Sequence, residues 1–407
     1  MRYLNITLKG ASWIGGARGF IRVITFIKLA VLARLLTPYD FGLFGIASLI
    51  LALLEILTET GINVFLLQAK DSIEKYLDTA WIISLVRGLV ISLIVFVLAP
   101  YISSFFKNQN SINILRLTAL IPLIRGFINP MVVKFQKDLE FNKEFYFRVS
   151  LNLVEFLAAV YFAVIMRSAE SLVIAMVISA IMEVFMSFVL FKTKPAFTFS
   201  LNLAKNIIKQ GKWITGYSIF SYVLTQGDDI AVGKILGQTS LGIYQNAYKI
   251  STLPMLEVHD VLLKVTFPIY AKIKDDTKRL KNALKKQIVF TFLMSVIIGT
   301  ILYLFSENVV LIVLGPNWIS AVPIVRILAF LGTIRGISYS FNSLFLALEK
   351  QKYVTYITFV STLFLLITII PLIKHYHMAG AAMSEMIGAL AALPFAFYYM
   401  HKIYRRL

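Results

Sequence analysis

Cysteine is absent from the 407 residues, which excludes disulfides, thiolate metal sites and cysteine nucleophiles. Histidine is scarce, at 4 residues. His375 and His377 share one short loop but have no third ligand beside them, and His259 reads as a helix-packing residue, so no metal site is expected. Acidic residues number 21 against 40 Lys and Arg. No Gly-rich phosphate-cradling loop of the Walker type occurs, so nucleotide-driven work within the chain is not expected. Nothing in the residue pattern calls for a cofactor.

What is present is apolar surface in excess. Hydrophobic residues make up 58% of the chain and mean hydropathy is +0.79, more than a soluble domain of this size can bury. The chain therefore reads as an all-α integral membrane protein. The net charge of +19 does not point to nucleic acid, because the cations cluster at the ends of apolar runs, where they act as orientation signals. Arg18 and Arg22 interrupt the stretch where a cleavable signal peptide would need an unbroken apolar core.

Runs of roughly 20 apolar residues cross about 30 Å of hydrocarbon. Twelve such runs are predicted, over 11–36, 41–68, 77–100, 112–133, 146–166 and 171–191, then 211–236, 241–270, 287–305, 321–347, 353–373 and 378–400. Pro122, Pro130 and Pro254 are expected to kink their helices. With the amino terminus inside, the cytoplasmic segments hold 25 Lys and Arg, and the outward loops hold only Lys107, Arg167 and Lys374. That asymmetry predicts a multi-pass protein of the inner (plasma) membrane with both termini cytoplasmic. The inward stretches 192–212 and 271–286 read as amphipathic surface helices. The longest outward loop, about 305–320, has no room for a catalytic domain, which argues against a membrane glycosyltransferase or polymerase and against an enzyme generally.

The chain repeats itself. At an offset of 200 residues, Trp13-Ile14-Gly15-Gly16 aligns with Trp213-Ile214-Thr215-Gly216, and Gly42-Leu43-Phe44 with Gly242-Ile243-Tyr244. At an offset of 210, Arg116 meets Arg326 and Ile124-Arg125-Gly126 meets Ile334-Arg335-Gly336. Each half holds six predicted spans, so both point the same way. The expected organisation is an N-terminal six-helix lobe (1–191), a cytoplasmic linker (192–210) and a C-terminal six-helix lobe (211–407), two parallel lobes around a central cavity. Gly15 and Gly19, four apart, are expected to let helices approach closely.

Charges inside the spans carry the functional argument, since a cation in hydrocarbon costs roughly 2.5–3.5 kcal/mol on insertion scales unless it is paired or wetted. Twelve cations and nine acids lie at such depth. Candidate substrate-binding cations are Arg18, Arg22, Lys28, Arg125, Lys249, Lys264 and Arg335, because guanidinium forks match phosphate oxygens. Arg18 and Arg22 share one helix face, as do Glu55 and Glu59. Two readings stand side by side: a structural bridge of Arg22 to Glu55 or Glu59, or cavity-facing arginines with the glutamates as gates. Arg87, Glu155 and Glu183 are expected to neutralise one another. Asp228 and Asp229 point about 100° apart on one helix. One is expected to pair with Lys249 or a first-helix Arg while the other titrates. Glu257 and Asp260 form a second candidate ion-coupling pair, since a carboxyl taken out of water takes up a proton more readily.

Four stretches carry a family resemblance. Asp228-Asp229-Ile230 through Leu241-Gly242-Ile243-Tyr244 resembles the seventh-to-eighth helix turn of oligosaccharide flippases in the polysaccharide transporter (Wzx-like) family of the MATE-containing MOP exporter superfamily. Ala33-Arg34-Leu35-Leu36-Thr37-Pro38-Tyr39-Asp40 is similar to that family's first-to-second helix turn. Gln136-Lys137-Asp138-Leu139-Glu140-Phe141 and Gly315-Pro316-Asn317-Trp318 through Arg326 also resemble its recurring segments. The resemblance implies alternating access around a cationic cavity and a polyprenyl-diphosphate-linked oligosaccharide as cargo. It places the chain in O-antigen or other surface polysaccharide biosynthesis, with the lipid bilayer, a polysaccharide polymerase and glycosyltransferases as partners. The alternative within the same superfamily is a MATE-like multidrug exporter, an ion-coupled antiporter that would favour an acidic or apolar cavity.

Overall fold

Apolar runs punctuated by Pro, Gly and charged caps fold into helix almost throughout. The computed structural model describes residues 2–57, 61–69, 71–273 and 276–405, with no strand among them. Side chains are described for these residues apart from 2–15, 17, 18, 206, 208–221, 223, 224, 261, 264, 268, 271 and 339. The chain divides into two compact units, Met1–Gln226 and Gly227–Leu407.

In the first unit the helices are α1 (Arg2–Leu35), α2 (Pro38–Leu57), α3 (Ile62–Gln68), α4 (Leu77–Phe105), α5 (Ser111–Thr118), α6 (Leu120–Arg125), α7 (Lys134–Lys137), α8 (Phe141–Met166) and α9 (Glu170–Leu190). α10 (Leu201–Leu236) begins in this unit and ends in the next. The second unit continues with α11 (Gln238–Ile273), α12 (Thr277–Leu304), α13 (Ser306–Val313), α14 (Val322–Ala347) and α15 (Gln351–Tyr404).

Local chemistry sets the breaks. Thr37-Pro38-Tyr39-Asp40 is a capping box: Asp40 accepts from the Thr37 amide at 2.9 Å, and Thr37 Oγ1 accepts from the Asp40 amide at 3.3 Å. Its repeat partner between α10 and α11 uses a different device, Gly237 at φ 85, a left-handed turn that favours glycine. Pro122 lacks the amide that would bond the Thr118 carbonyl, and the predicted fourth span breaks there into α5 and α6. α15 is a hairpin whose two limbs part at His377 (φ 53), so the expected outward loop is a tight turn. Ser384 in the second limb donates to the Leu365 carbonyl of the first at 2.9 Å.

Among the described residues, seven helices are long and apolar enough to cross a membrane, or eight if the pair bent by 74° at Arg125–Pro130 counts as one span. At most 44% of any such apolar window is buried inside the protein, which leaves large apolar faces for lipid to cover. α1, α10 and α11 lie outside that set, since charged and uncharged polar residues such as Arg18, Arg22, Gln245 and Asn246 are spread along them, although each covers a stretch predicted to span. The expected surface helices are a point of difference. Residues 201–212 run on into α10 and 277–286 into α12, because a polar extension of a spanning helix has the same periodicity as a separate amphipathic one.

Small residues set the crossings, as they must where lipid supplies no hydrophobic drive between helices. α4 meets α6 at Gly88 and Gly126; a Cβ on Gly88 would lie 2.4 Å from the Pro122 carbonyl oxygen. α12 meets α14 at Ser295, Gly299 and Gly336, where a Cβ on Gly336 would lie 2.1 Å from Ser295 Oγ. Gly126 and Gly336 are repeat partners, so each half uses the glycine after its arginine in the same way. Gly19 does not serve as expected: among the described residues an added Cβ there meets nothing within 4 Å.

One loop is held by a lysine. The Lys137 ammonium donates to the carbonyls of Leu66 (3.2 Å), Ala69 (3.0 Å) and Asp71 (2.9 Å), closing the open C-terminal end of α3. Beside it, hydrogen bonds from Lys75 and Tyr76 hold the Asp71 carboxyl below the usual carboxylate range. Lys137→Met keeps the stem and removes three donors, so it should cost about 1.5–3 kcal/mol. Amide exchange over 62–76 should speed up while α8 is unaffected. Unchanged exchange there would mean that α3 is held by packing alone.

Candidate functional site

Each unit holds a partly exposed arginine flanked by carboxyl groups. In the first, the α4–α6 glycine contact carries Arg87 and Arg125 to the same wall. Arg125 sits between Glu55 of α2 (3.6 Å) and Glu183 of α9 (3.5 Å), and its side chain keeps 36% exposure. Arg87 donates to the Glu55 carbonyl oxygen at 2.7 Å. These groups line a cavity of about 430 Å³ together with Asn63, Gln136, Glu144 and Arg148. Arg148 is paired with Glu144 at 2.7 Å, and Gln136 donates to the same carboxylate at 2.7 Å. Among the described residues, three arginines and three glutamates line this cavity, so their charges balance. On the neighbouring faces, Lys28 of α1 is paired with Glu155 of α8.

The second unit repeats the theme more tightly. Arg335 of α14 is paired with Glu385 in the second limb of α15, whose side chain is only 4% exposed. The same guanidinium donates to Tyr248 Oη at 2.6 Å. Asp228, in the last third of α10, is buried and accepts from Tyr244 Oη at 2.9 Å. Asp229, pointing away from it, accepts from Gln245 at 2.9 Å. Tyr244, Gln245 and Tyr248 all come from one stretch of α11, so a single helix supplies the partners of Asp228, Asp229 and Arg335.

The sequence-derived candidates distribute as follows. Arg125 and Arg335 are repeat partners in sequence, and each meets a glutamate on the sixth predicted span of its half, Glu183 on α9 and Glu385 on α15. Lys28, Arg125 and Arg335 are all engaged by carboxylates within their own units. Arg22 and Lys249 are exposed on α1 and α11, and Glu257 and Asp260 are half-buried on α11. Glu59 and the side chains of Arg18 and Lys264 lie outside the described residues. Glu155 and Glu183 do not neutralise Arg87 as expected, because α1 packs on α8 and brings Lys28 to Glu155, while α6 packs on α9 and brings Arg125 to Glu183. Glu385, Tyr244, Gln245 and Tyr248 were missing from the sequence-derived set. Glu183 and Glu385 recur at an offset of 202 on the last helix of each half, a signal that was available.

Membrane-length helices, two compact units and ion pairs within the spans define a multi-pass helical membrane protein. Its fold matches the lipid II flippase MurJ in an inward closed conformation, with a TM-score of 0.74 at 14% identity over 95% of this chain and 86% of that one. It also matches an inward-facing multidrug resistance MATE transporter of the MOP superfamily, with a TM-score of 0.66 at 14% identity over 94% of each chain. Residues 31–323 match the family described as "Polysaccharide biosynthesis protein", and the chain belongs to that family. The lipopolysaccharide biosynthesis protein WzxC of Escherichia coli (strain K12) is 27% identical over 346 residues, 84% of this chain and 70% of that protein.

Proposed function

We propose that the protein is a flippase that moves polyprenyl-diphosphate-linked oligosaccharide from the cytoplasmic to the outer leaflet during surface polysaccharide biosynthesis, with no covalent chemistry of its own. The observation that carries this reading is the polysaccharide biosynthesis family match over 31–323 on a transporter fold shared with a lipid-linked precursor flippase. The inner membrane is the proposed location, with both termini cytoplasmic, on the charge asymmetry between segments. A polymerase and glycosyltransferases are the proposed neighbours in the process.

Arg22 and Lys249, exposed on their helices, are the proposed first contacts for the diphosphate, with Arg18 and Lys264 assigned the same role on sequence grounds alone. Lys28, Arg125 and Arg335 are held by carboxylates of their own units, and their proposed part is to exchange those partners as cargo arrives. Asp228 and Asp229 carry the proposed proton coupling, with Glu257 and Asp260 as a second pair, and Glu55 and Glu59 as gates. The multidrug-exporter reading keeps one point in its favour, the three glutamates that match three arginines among the described residues of the first-unit cavity, where a polyanion site would tilt to the basic side.

Deletion in the native host separates the two readings. Lipid-linked oligosaccharide should accumulate on the cytoplasmic leaflet and outer-leaflet material should fall at least tenfold, with recovery when the gene is restored. Normal delivery to the outer leaflet in the deletion strain would end the flippase reading.

A further inference from the structure

Five helix ends of the Gly227–Leu407 unit converge at one end of its bundle, where Tyr270, Leu280, Leu344, Tyr353 and Ile403 share a buried cluster. Cations crowd the rim of this end, and they are not spent on acids. Lys281, Lys352, Lys402 and Arg405 have no carboxylate partner among the described residues; the nearby Arg279 takes Asp276 at 3.3 Å. Three of the ammonium groups rest instead on tyrosine rings. Lys281 lies 4.7 Å from the Tyr404 centroid, Lys352 5.8 Å from Tyr353 and Lys402 5.8 Å from Tyr398. Tyr353 stacks on Tyr399 at 4.3 Å with an interplanar angle of 13°. A ring face fixes an ammonium without consuming its outward N–H donors. Just inside this rim, Phe359, Phe395 and Phe397 are exposed along the same apolar helices.

We propose that this end of the second unit is a binding surface for anionic phospholipid headgroups of the surrounding bilayer, gripped by Lys281, Lys352 and Lys402 on their tyrosine platforms. The occupant must offer negative charge at the rim and hydrocarbon immediately beside it. A bilayer phospholipid supplies both in one molecule, with its phosphate at the level where Tyr and Lys collect and its acyl chains along the phenylalanines. A soluble phosphate or an acidic protein uses the charge and leaves the apolar belt unexplained. Attraction of anionic lipid to juxtamembrane Lys and Arg is additive and falls off within a Debye length, so three clustered ammonium groups act together. The inference is independent of the cargo, because it concerns the lipid annulus of one unit.

The test uses the full chain purified in detergent and titrated with phosphatidylglycerol or phosphatidylcholine, read by native mass spectrometry. Wild type should retain phosphatidylglycerol about tenfold more tightly than phosphatidylcholine, and the preference should shrink as salt rises. The triple variant K281Q/K352Q/K402Q should lose most of the preference, while K143Q, at a cation paired with Glu140 in the other unit, keeps it. The salt dependence of wild type reports on the site even if the triple variant folds poorly. Equal retention of the two lipids, a salt-independent preference, an unaltered triple variant, or full displacement by equimolar inorganic phosphate would each overturn the proposal.

Discussion

Replacing Arg335 with Gln should be among the most damaging single changes in the chain. It leaves Glu385, 4% exposed, without the guanidinium that balances its charge inside the helix bundle. Breaking a buried ion pair by removing one partner costs about 3–5 kcal/mol, against 0–1 kcal/mol for an exposed pair. Lys75 and Asp71, roughly half exposed at 2.6 Å, provide that exposed comparison. In detergent, R335Q should melt far below wild type, and K75M should be almost indistinguishable from it. E385Q should be milder, because the Arg335 guanidinium keeps Tyr248 Oη at 2.6 Å and Gln can still accept a hydrogen bond. The double variant R335Q/E385Q should recover part of the loss, since no unpaired charge is left at the pair, and the double-mutant cycle should give a coupling of about 0.5–3 kcal/mol. R335K tests geometry separately: an ammonium keeps the charge but cannot address Glu385 and Tyr248 through one planar fork. If R335Q melts no lower than K75M, the cluster is solvated and the pair has little structural weight.

That experiment also marks where sequence reasoning reached its limit. Arg125 and Arg335 were recognisable as partners because the repeat preserves Ile-Arg-Gly at an offset of 210, and the glycine after each arginine marks a helix crossing. The helices themselves were legible for a simple reason: an apolar run long enough to cross a bilayer has no alternative to helix. Partner choice was not legible. Lys28 and Glu155 stand 127 residues apart, and only the packing of α1 on α8 joins them. The apparent surplus of buried cations had the same cause. Counting charges along the chain treats each as free, whereas helix packing matched Lys28, Arg125 and Arg335 to acids from other helices.

The hairpin of α15 shows the converse, a feature whose reason lies in one residue that the sequence reading passed over. The second limb returns against the first so closely that a Cβ on Gly380 would lie 2.0 Å from the Leu372 carbonyl oxygen, 2.4 Å from its carbon and 2.8 Å from the Ile373 amide nitrogen. All three are backbone atoms, so no rotamer change can relieve the contact, and the limbs must separate or the turn at His377 must be rebuilt. Overpacking a tight site typically costs 1–3 kcal/mol, and a backbone obstacle should put Gly380→Ala at or above the top of that range. Separation would pull Ser384 from the Leu365 carbonyl and carry Glu385, one residue further along, away from Arg335. G380A should therefore lower the melting temperature and also loosen the buried cluster. That second effect is readable as faster labelling of Glu385 by a carbodiimide. Gly19→Ala is the matched control. An added methyl there meets nothing within 4 Å among the described residues, and alanine gains about 1 kcal/mol over glycine inside a helix. The same substitution should thus destabilise at 380 and be neutral or stabilising at 19. A G380A protein that melts like wild type with Glu385 still protected would mean that the limbs have room to spare and that glycine at the turn is incidental.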